Sequence, residues 1–93
     1  MTKLSLYLII HGRVQGVGYR AWMASRARQY GLNGWVRNRR DGTVEAVVMG
    51  ETLKVEQLVA ECHEGPLSAR VTSIDSKPCD GETATSFTSR ETI

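Results

Sequence analysis

Residues Ile10–Ala21 read Ile-His-Gly-Arg-Val-Gln-Gly-Val-Gly-Tyr-Arg-Ala, and this stretch decides how the rest of the chain is interpreted. An apolar run ends at His11, three glycines follow by position 18, and a helical pattern begins near Tyr19. This order predicts a strand, a glycine-rich loop and a helix N-terminus. Such a junction turns backbone N–H groups inward at the positive end of a helix dipole, which makes a cradle for an anion, most often phosphate. Arg20 stands where its guanidinium can close that cradle.

The chain has 93 residues, so one domain over 1–93 with two layers of secondary structure is expected. The composition is that of an ordinary globular protein, and no apolar run is long enough to span a membrane, so no membrane partner is expected. The N-terminal apolar run lacks a small-residue cleavage site and continues into the glycine loop. It is therefore interpreted as a first strand and not as a signal peptide, with a cytoplasmic location and a monomer as defaults.

The two cysteines, Cys62 and Cys79, are too few for a disulfide framework. They also lack the close spacing to each other or to histidine that a zinc site needs, so no metal site is predicted. Two reduced thiols are the expectation, although a single Cys62–Cys79 bridge stays open.

The net charge of +2 hides an uneven distribution along the chain. Residues 1–40 contain Lys3 and seven arginines but no acidic residue, whereas all ten acidic residues lie in 41–93. Because the cationic half includes the glycine loop, the distribution favours an anionic ligand near that loop. For Arg26 and Arg28 a solvated helix face is the simpler interpretation.

Apolar periodicity predicts a β-α-β-β-α-β order with a weak fifth strand. The strands are predicted at Leu4–His11, Gly34–Arg40, Thr43–Met49 and Ala69–Lys77, with the weak one near Phe87 at a sheet edge; the helices are predicted at Tyr19–Tyr30 and from Glu51 or Thr52 to His63. Asp41-Gly42 predicts a hairpin turn, Gly50 is interpreted as a strand break, and Pro78–Gly81 as a loop. The predicted fold class is α+β, a ferredoxin-like sandwich with two helices on one face of a four- to five-stranded, mainly antiparallel sheet. This fold hosts unrelated functions and decides none.

The glycine loop matches neither of the common nucleotide-binding motifs. The lysine of a P-loop is absent, and Asn38 and Arg40 stand where a dinucleotide site would place an acidic residue. Asparagine is unusual in a strand. Asn38 is thus either a polar residue next to a turn that bonds its own backbone, or a fixed amide that holds a water or a substrate oxygen.

Other reactive or aromatic residues have simpler interpretations. His11 could be a phosphohistidine nucleophile, but a histidine at a strand end is the preferred interpretation. Trp22, Tyr30 and Trp35 are expected in or beside the core and not as a platform for stacking bases.

Two stretches together resemble the acylphosphatase family. Gly12–Arg20 is similar to the first signature of that family, and Gly34–Asn38, followed by Gly42, Val44 and Gly50, is similar to the second. Their order and spacing, and the length of the chain, agree with the family over roughly the whole sequence. Tyr19 departs from the pattern, since the family usually has Phe or Met there, and the added hydroxyl affects packing more than activity.

This resemblance implies hydrolysis of acyl phosphates to a carboxylate and inorganic phosphate, without metal or cofactor and with phosphate as product and inhibitor. It implies that Asn38 orients the attacking water and that Arg20 binds the phosphoryl group beside the backbone N–H groups of Gln15, Gly16, Val17, Gly18, Tyr19 and Arg20. Phosphoryl transfer needs positioning and charge stabilisation above all, and a carboxylate can leave without a general acid. The residue chemistry is consistent with what the family implies.

Two alternatives belong to other functional classes. The arginine-rich half would suit a nucleic-acid-binding ferredoxin-like module. However, the third strand lacks the aromatic run that stacks bases in such modules, so no nucleic acid is expected as a partner. A non-hydrolytic domain that binds phosphate or carbamoyl phosphate, as found inside larger maturation enzymes, is the other alternative, and the stand-alone length of the chain argues against it.

Overall fold

Five strands and two helices follow one another in the order β-α-β-β-α-β-β in the part of the chain that the computed structural model describes, residues 2–80 and 84–93. Their bounds are β1 Lys3–Arg13, α1 Tyr19–Gln29, β2 Asn33–Asn38, β3 Val44–Glu51, α2 Thr52–Cys62, β4 Arg70–Pro78 and β5 Phe87–Ser89. The predicted element order is confirmed, including the short fifth strand near Phe87.

The strands form one sheet in the order β4-β1-β3-β2-β5. The pairs β1–β4, β1–β3 and β2–β3 are antiparallel, whereas the edge strand β5 runs parallel to β2. Because β1 pairs with β3 on one side and with β4 on the other, it lies in the interior of the sheet, as its apolar composition predicts. The ferredoxin-like α+β fold class is therefore confirmed.

Both helices pack on the same face of this sheet, where the apolar core lies. Alternate strand residues point to opposite faces, and on the covered face they are fully buried, as for Leu8 and Ile10 of β1 and Val36 of β2. The helices meet them with residues spaced three or four apart, among them Met23, Ala27, Val55 and Leu58. None of the helices among the described residues is long and apolar enough to cross a membrane.

The opposite, open face of the sheet carries polar and aromatic groups. The Trp35 ring lies between the guanidinium groups of Arg37 and Arg90, each 4.7 Å from the ring centroid. Glu45 accepts hydrogen bonds from Tyr7 and from Arg37, whose Nε lies 2.5 Å from Oε1. Burial disfavours the charged form of this carboxyl, but the two hydrogen bonds and the nearby guanidinium charges outweigh that effect and lower the pKa of Glu45.

The β2–β3 hairpin differs in detail from the prediction. Strand β2 ends at Asn38 and not at Arg40, and the Arg39 N–H donates to the Thr43 carbonyl, which leaves a three-residue loop. A two-residue hairpin turn that suits Asp-Gly would need a positive φ at Asp41, and no residue other than glycine has one in the described chain. The hairpin itself is confirmed.

Gly50 does not break β3, which continues to Glu51 and pairs Gly50 with Leu4. Its φ of 155° and the position of Leu32 explain the glycine, because a Cβ there would lie 2.6 Å from Leu32 Cδ2. The prediction that Gly50 ends the strand is therefore wrong. In the predicted Pro78–Gly81 loop, Pro78 belongs to β4 and Gly81 lies outside the described residues.

Candidate active site

The loop between β1 and α1 presents a set of backbone N–H groups that have no backbone partner within the described part of the chain. Gly16 and Gly18 take φ of 73° and 80°, the left-handed region that glycine adopts at no steric cost. Gly18 is the N-cap of α1 and no side chain caps the helix. Consequently the N–H groups of residues 15–20 donate to no backbone carbonyl of the described residues. This arrangement is suited to binding an anion.

A cavity of about 480 Å³ opens over this loop. It is lined by most of the residues that the sequence pointed to, namely Gln15, Gly16, Gly18, Tyr19, Arg20 and Asn38. Val17 does not line it, and its side chain packs against the core instead. The structure thus brings the glycine loop, the start of α1 and the end of β2 together around one space.

Arg20 lies in the first turn of α1, beside the N–H groups of the loop. Its Nη1 donates a hydrogen bond of 3.2 Å to the Arg90 carbonyl, which lies just after β5. No carboxylate in the described chain forms an ion pair with Arg20. The positive charge of its guanidinium therefore remains available to a bound anion.

Asn38 is the last residue of β2 and lies on the same face of the sheet as Val36, toward the cavity. Its backbone carbonyl accepts the Ile93 N–H, whereas its side-chain amide bonds to none of the described residues. The role of bonding the turn backbone belongs to Asp41, whose Oδ1 accepts the Thr43 N–H at 2.9 Å. Of the two interpretations of Asn38, the one that made it a turn residue bonding its own backbone is wrong.

Gln15 contributes a side-chain contact that the sequence interpretation missed. Its Nε2 donates to the Arg39 carbonyl at 2.7 Å and to the Thr43 carbonyl at 2.8 Å. These two carbonyls flank the hairpin loop that follows Asn38, so one amide joins the β1–α1 loop to the hairpin. A glutamine in a loop of glycines is a weak sequence signal for this, because the two acceptors lie 24 and 28 residues away.

Tyr19 places its ring in the core beneath the loop. The ring is 2% exposed, and its hydroxyl donates a 2.6 Å hydrogen bond to the Cys62 carbonyl at the end of α2. Burial raises the pKa of the Tyr19 hydroxyl above its ordinary value. The Tyr19 side chain is therefore unavailable to a ligand in the cavity, whereas its backbone N–H is available. The hydroxyl, which Phe or Met at this position would lack, instead satisfies the carbonyl at the end of α2.

The other candidates lie away from this cavity. His11 Nε2 lies 2.8 Å from the carboxylate of Asp75 on β4, consistent with a histidine at a strand end. Cys62 is fully buried, which raises the pKa of its thiol to about 12, and it forms no disulfide with Cys79. No group of three or more His, Cys, Asp or Glu in the described residues could hold a metal ion.

Arg26 is not a solvated helix residue. Its Nε bonds Glu61 Oε1 of α2 at 2.8 Å, and its Nη2 donates to the Tyr30 hydroxyl at 2.8 Å. Tyr30 also donates to Glu61, so these three side chains form one network between the helices. The prediction of a solvated face is therefore wrong for Arg26, which is half-buried by this network.

Arg28 lines the cavity together with Ala24 and Ser89. Its side chain is largely exposed, as predicted, but its Nε donates a 3.1 Å hydrogen bond to the Phe87 carbonyl of β5. The spacing of Arg20, Ala24 and Arg28 at steps of four would have placed them on one helix face. What the sequence could not provide was the position of β5 beside that face.

The family model described as Acylphosphatase matches residues 6–89. An acylphosphatase of Rhodopseudomonas palustris is 53% identical over 74 residues, which is 80% of this chain and 75% of that protein. One of Rhizorhabdus wittichii is 46% identical over 91 residues, which is 98% of this chain and 92% of that protein. Among solved structures, an acylphosphatase from Coxiella burnetii superposes with a TM-score of 0.91 at 31% identity, covering 95% of this chain and 93% of the other.

Proposed function

Because the chain belongs to the acylphosphatase family and is an acylphosphatase, we propose that hydrolysis takes place in the cavity above the β1–α1 loop. Arg20 and the N–H groups of residues 15–20 hold the phosphoryl group, and Asn38 orients the water that attacks it. The observation that carries the proposal is the row of N–H groups without backbone acceptors beside Arg20, a guanidinium with no carboxylate partner among the described residues.

This arrangement suits the charge that develops during phosphoryl transfer. In the loose transition state, negative charge spreads over the three equatorial oxygens of the phosphoryl group. The N–H groups at the start of α1 and the guanidinium of Arg20 supply fixed positive charge on that side. Since the N–H groups have no backbone acceptor among the described residues and Arg20 is already held by the Arg90 carbonyl, little reorganisation is needed as the reaction proceeds.

The water attacks in line with the bond that breaks. A bond forms between the water oxygen and phosphorus, and the bond between phosphorus and the acyl oxygen breaks, releasing a carboxylate. A carboxylic acid has a pKa of about 4, so the leaving group departs as the anion without a general acid. The Asn38 amide does not titrate and cannot act as the base, and the proton of the water passes to a phosphoryl oxygen. Asn38 therefore contributes by positioning.

We further propose that the enzyme is a single-domain, metal-independent monomer in the cytoplasm, with no nucleic-acid partner. The open face of the sheet, where RNA-binding modules of similar topology stack bases, supports the last point. Trp35 on that face is 5% exposed because Arg37 and Arg90 cover its ring, and it therefore offers no surface on which a base could stack.

The direct test is the release of phosphate from benzoyl phosphate by the purified protein. We expect turnover that inorganic phosphate inhibits competitively and that persists in excess EDTA. Loss of activity with EDTA and recovery on adding a divalent metal would overturn the metal-independent mechanism. Absence of turnover in a folded protein would overturn the assignment of the reaction to this cavity.

A further inference from the structure

The cavity extends beyond the space that a phosphoryl group needs. Its volume of about 480 Å³ lies within the usual range of sites for small organic ligands. From the loop it continues along α1 past Ala24, whose small side chain leaves room, to Arg28 and Ser89. With the phosphoryl group held by the loop, this remaining space is where the acyl part of the substrate lies.

The far end of the cavity contains a second guanidinium group. Arg28 lies two helical turns after Arg20, and both arginines are held by backbone carbonyls of the same segment. Arg20 bonds the Arg90 carbonyl at 3.2 Å, and Arg28 bonds the Phe87 carbonyl at 3.1 Å. Since an α-helix rises about 1.5 Å per residue, the eight residues from Arg20 to Arg28 correspond to about 12 Å along α1.

The charge along this cavity has one sign. Arg20 and Arg28 line it, and none of the described lining residues is acidic. Because the hydrogen bond to Phe87 uses only Nε of Arg28, the two Nη groups keep donors in the fork geometry that matches a carboxylate or a phosphate. The contact with β5 thus fixes the position of the guanidinium without neutralising it.

We infer that Arg28 is a specificity-determining residue that binds a second anionic group on the acyl part of the substrate. The preferred substrates are then acyl phosphates whose acyl chain ends in a carboxylate or phosphate. In succinyl phosphate five bonds separate phosphorus from the distal carboxyl carbon, about 6 Å when extended. With a hydrogen bond of about 3 Å at each end, such a molecule spans about 12 Å, which is comparable with the rise along α1 between the two arginines. This inference rests on the proposed placement of the phosphoryl group at Arg20.

The test compares two substrates of equal chain length, succinyl phosphate and butyryl phosphate, which differ in the distal carboxylate. For Arg28→Gln we expect kcat/KM for succinyl phosphate to fall about fivefold, because the ion pair is partly exposed to solvent, while that for butyryl phosphate changes less than about twofold. Arg28→Lys keeps the charge and should retain part of the preference. Arg26→Gln, which removes the same charge from the same helix outside the cavity, should leave the ratio of the two substrates unchanged.

Equal losses for both substrates in Arg28→Gln would overturn the inference, because they would show a structural role. If that variant does not fold, the wild-type enzyme provides the test through salt. Raising the ionic strength from about 0.01 M to about 1 M shortens the Debye length from roughly 30 Å to 3 Å. The preference for succinyl over butyryl phosphate should then fall severalfold, and a constant ratio would overturn the inference. Failure of the wild type to hydrolyse butyryl phosphate would instead contradict the proposed function.

Discussion

Two sides of helix α1 hold arginines in opposite electrostatic surroundings. On the side facing α2, Arg26 is paired with Glu61 and bonded to Tyr30, and its charge joins the two helices. On the cavity side, Arg20 has a backbone carbonyl as its hydrogen-bond acceptor and no ion pair within the described residues. Arginine therefore has two roles on this helix. Arg26 joins α1 to α2 because a carboxylate pairs with it, whereas the charge of Arg20 is not neutralised by any carboxylate of the described residues.

The comparison is tested most strongly by Arg20→Ala. Removing a guanidinium that stabilises the charge of a transferring phosphoryl group should lower kcat/KM for benzoyl phosphate by about 10³ or more. Inhibition by inorganic phosphate should weaken in parallel, because the same charge binds the product. Steady-state kinetics measure both, with circular dichroism to show that the variant folds. A loss of less than about tenfold would contradict the proposed role of Arg20 in stabilising the transferring phosphoryl group.

Asn38→Ala separates binding of the phosphoryl group from positioning of the water. The amide has no partner among the described residues, so its removal disturbs little of the fold. We expect kcat to fall by about 10², the order seen when one positioned polar group is removed from an active site. The inhibition constant of inorganic phosphate should change only slightly. Full turnover in this variant would contradict the proposed role of Asn38.

Gln15 links the cavity side of α1 to the hairpin, and its substitution tests whether that link matters. Gln15→Ala removes two hydrogen bonds to the Arg39 and Thr43 carbonyls and should lower the free energy of unfolding by about 1 kcal/mol. The hairpin carries Asn38, so kcat should fall more than KM rises. Gln15→Glu places a negative charge beside the bound phosphoryl group and should also raise KM. Denaturant unfolding and steady-state kinetics distinguish the two variants, and an unchanged kcat in both would show that the link plays no part in positioning.

Arg26→Gln tests the other side of the helix and should have the smallest effect on activity. Turnover of benzoyl phosphate should stay within about twofold of wild type.

The same variant should change stability in a pH-dependent way. A hydrogen bond from Arg26 is the main cause that lowers the pKa of Glu61 below its usual 4.5. A lowered carboxyl pKa stabilises the folded state above that usual value, and the contribution is lost as the pH falls through the lowered pKa. The variant should therefore have a lower urea midpoint at neutral pH, and the difference should disappear in acid. A difference that persists in acid would assign the stabilisation to packing.

The features that the sequence predicted are those that local patterns encode. The glycine spacing and the helical period located the loop, α1 and Arg20, and the position of Asn38 at the end of a strand could be recognised within a few residues of the hairpin. The missed contacts join distant positions. Gln15 reaches the hairpin, Arg28 reaches Phe87 and Arg26 reaches Glu61, at separations of 24 to 59 residues. The parallel pairing of β5 with β2 is equally non-local, because three residues near the end of the chain carry little period of their own.

The two tryptophans of the chain lie on different sides of the sheet, so the fluorescence of each indole can report on a different part of the molecule. The centroid of the Trp22 ring lies 5.4 Å from that of Tyr19, next to the β1–α1 loop. Trp35 is covered by Arg90, whose carbonyl holds Arg20. In a Trp22→Phe variant the remaining indole of Trp35 contacts Arg90, which in turn holds the guanidinium of Arg20 that we propose binds phosphate. A change in its emission on titration with phosphate would report occupancy of the cavity from the opposite face of the sheet.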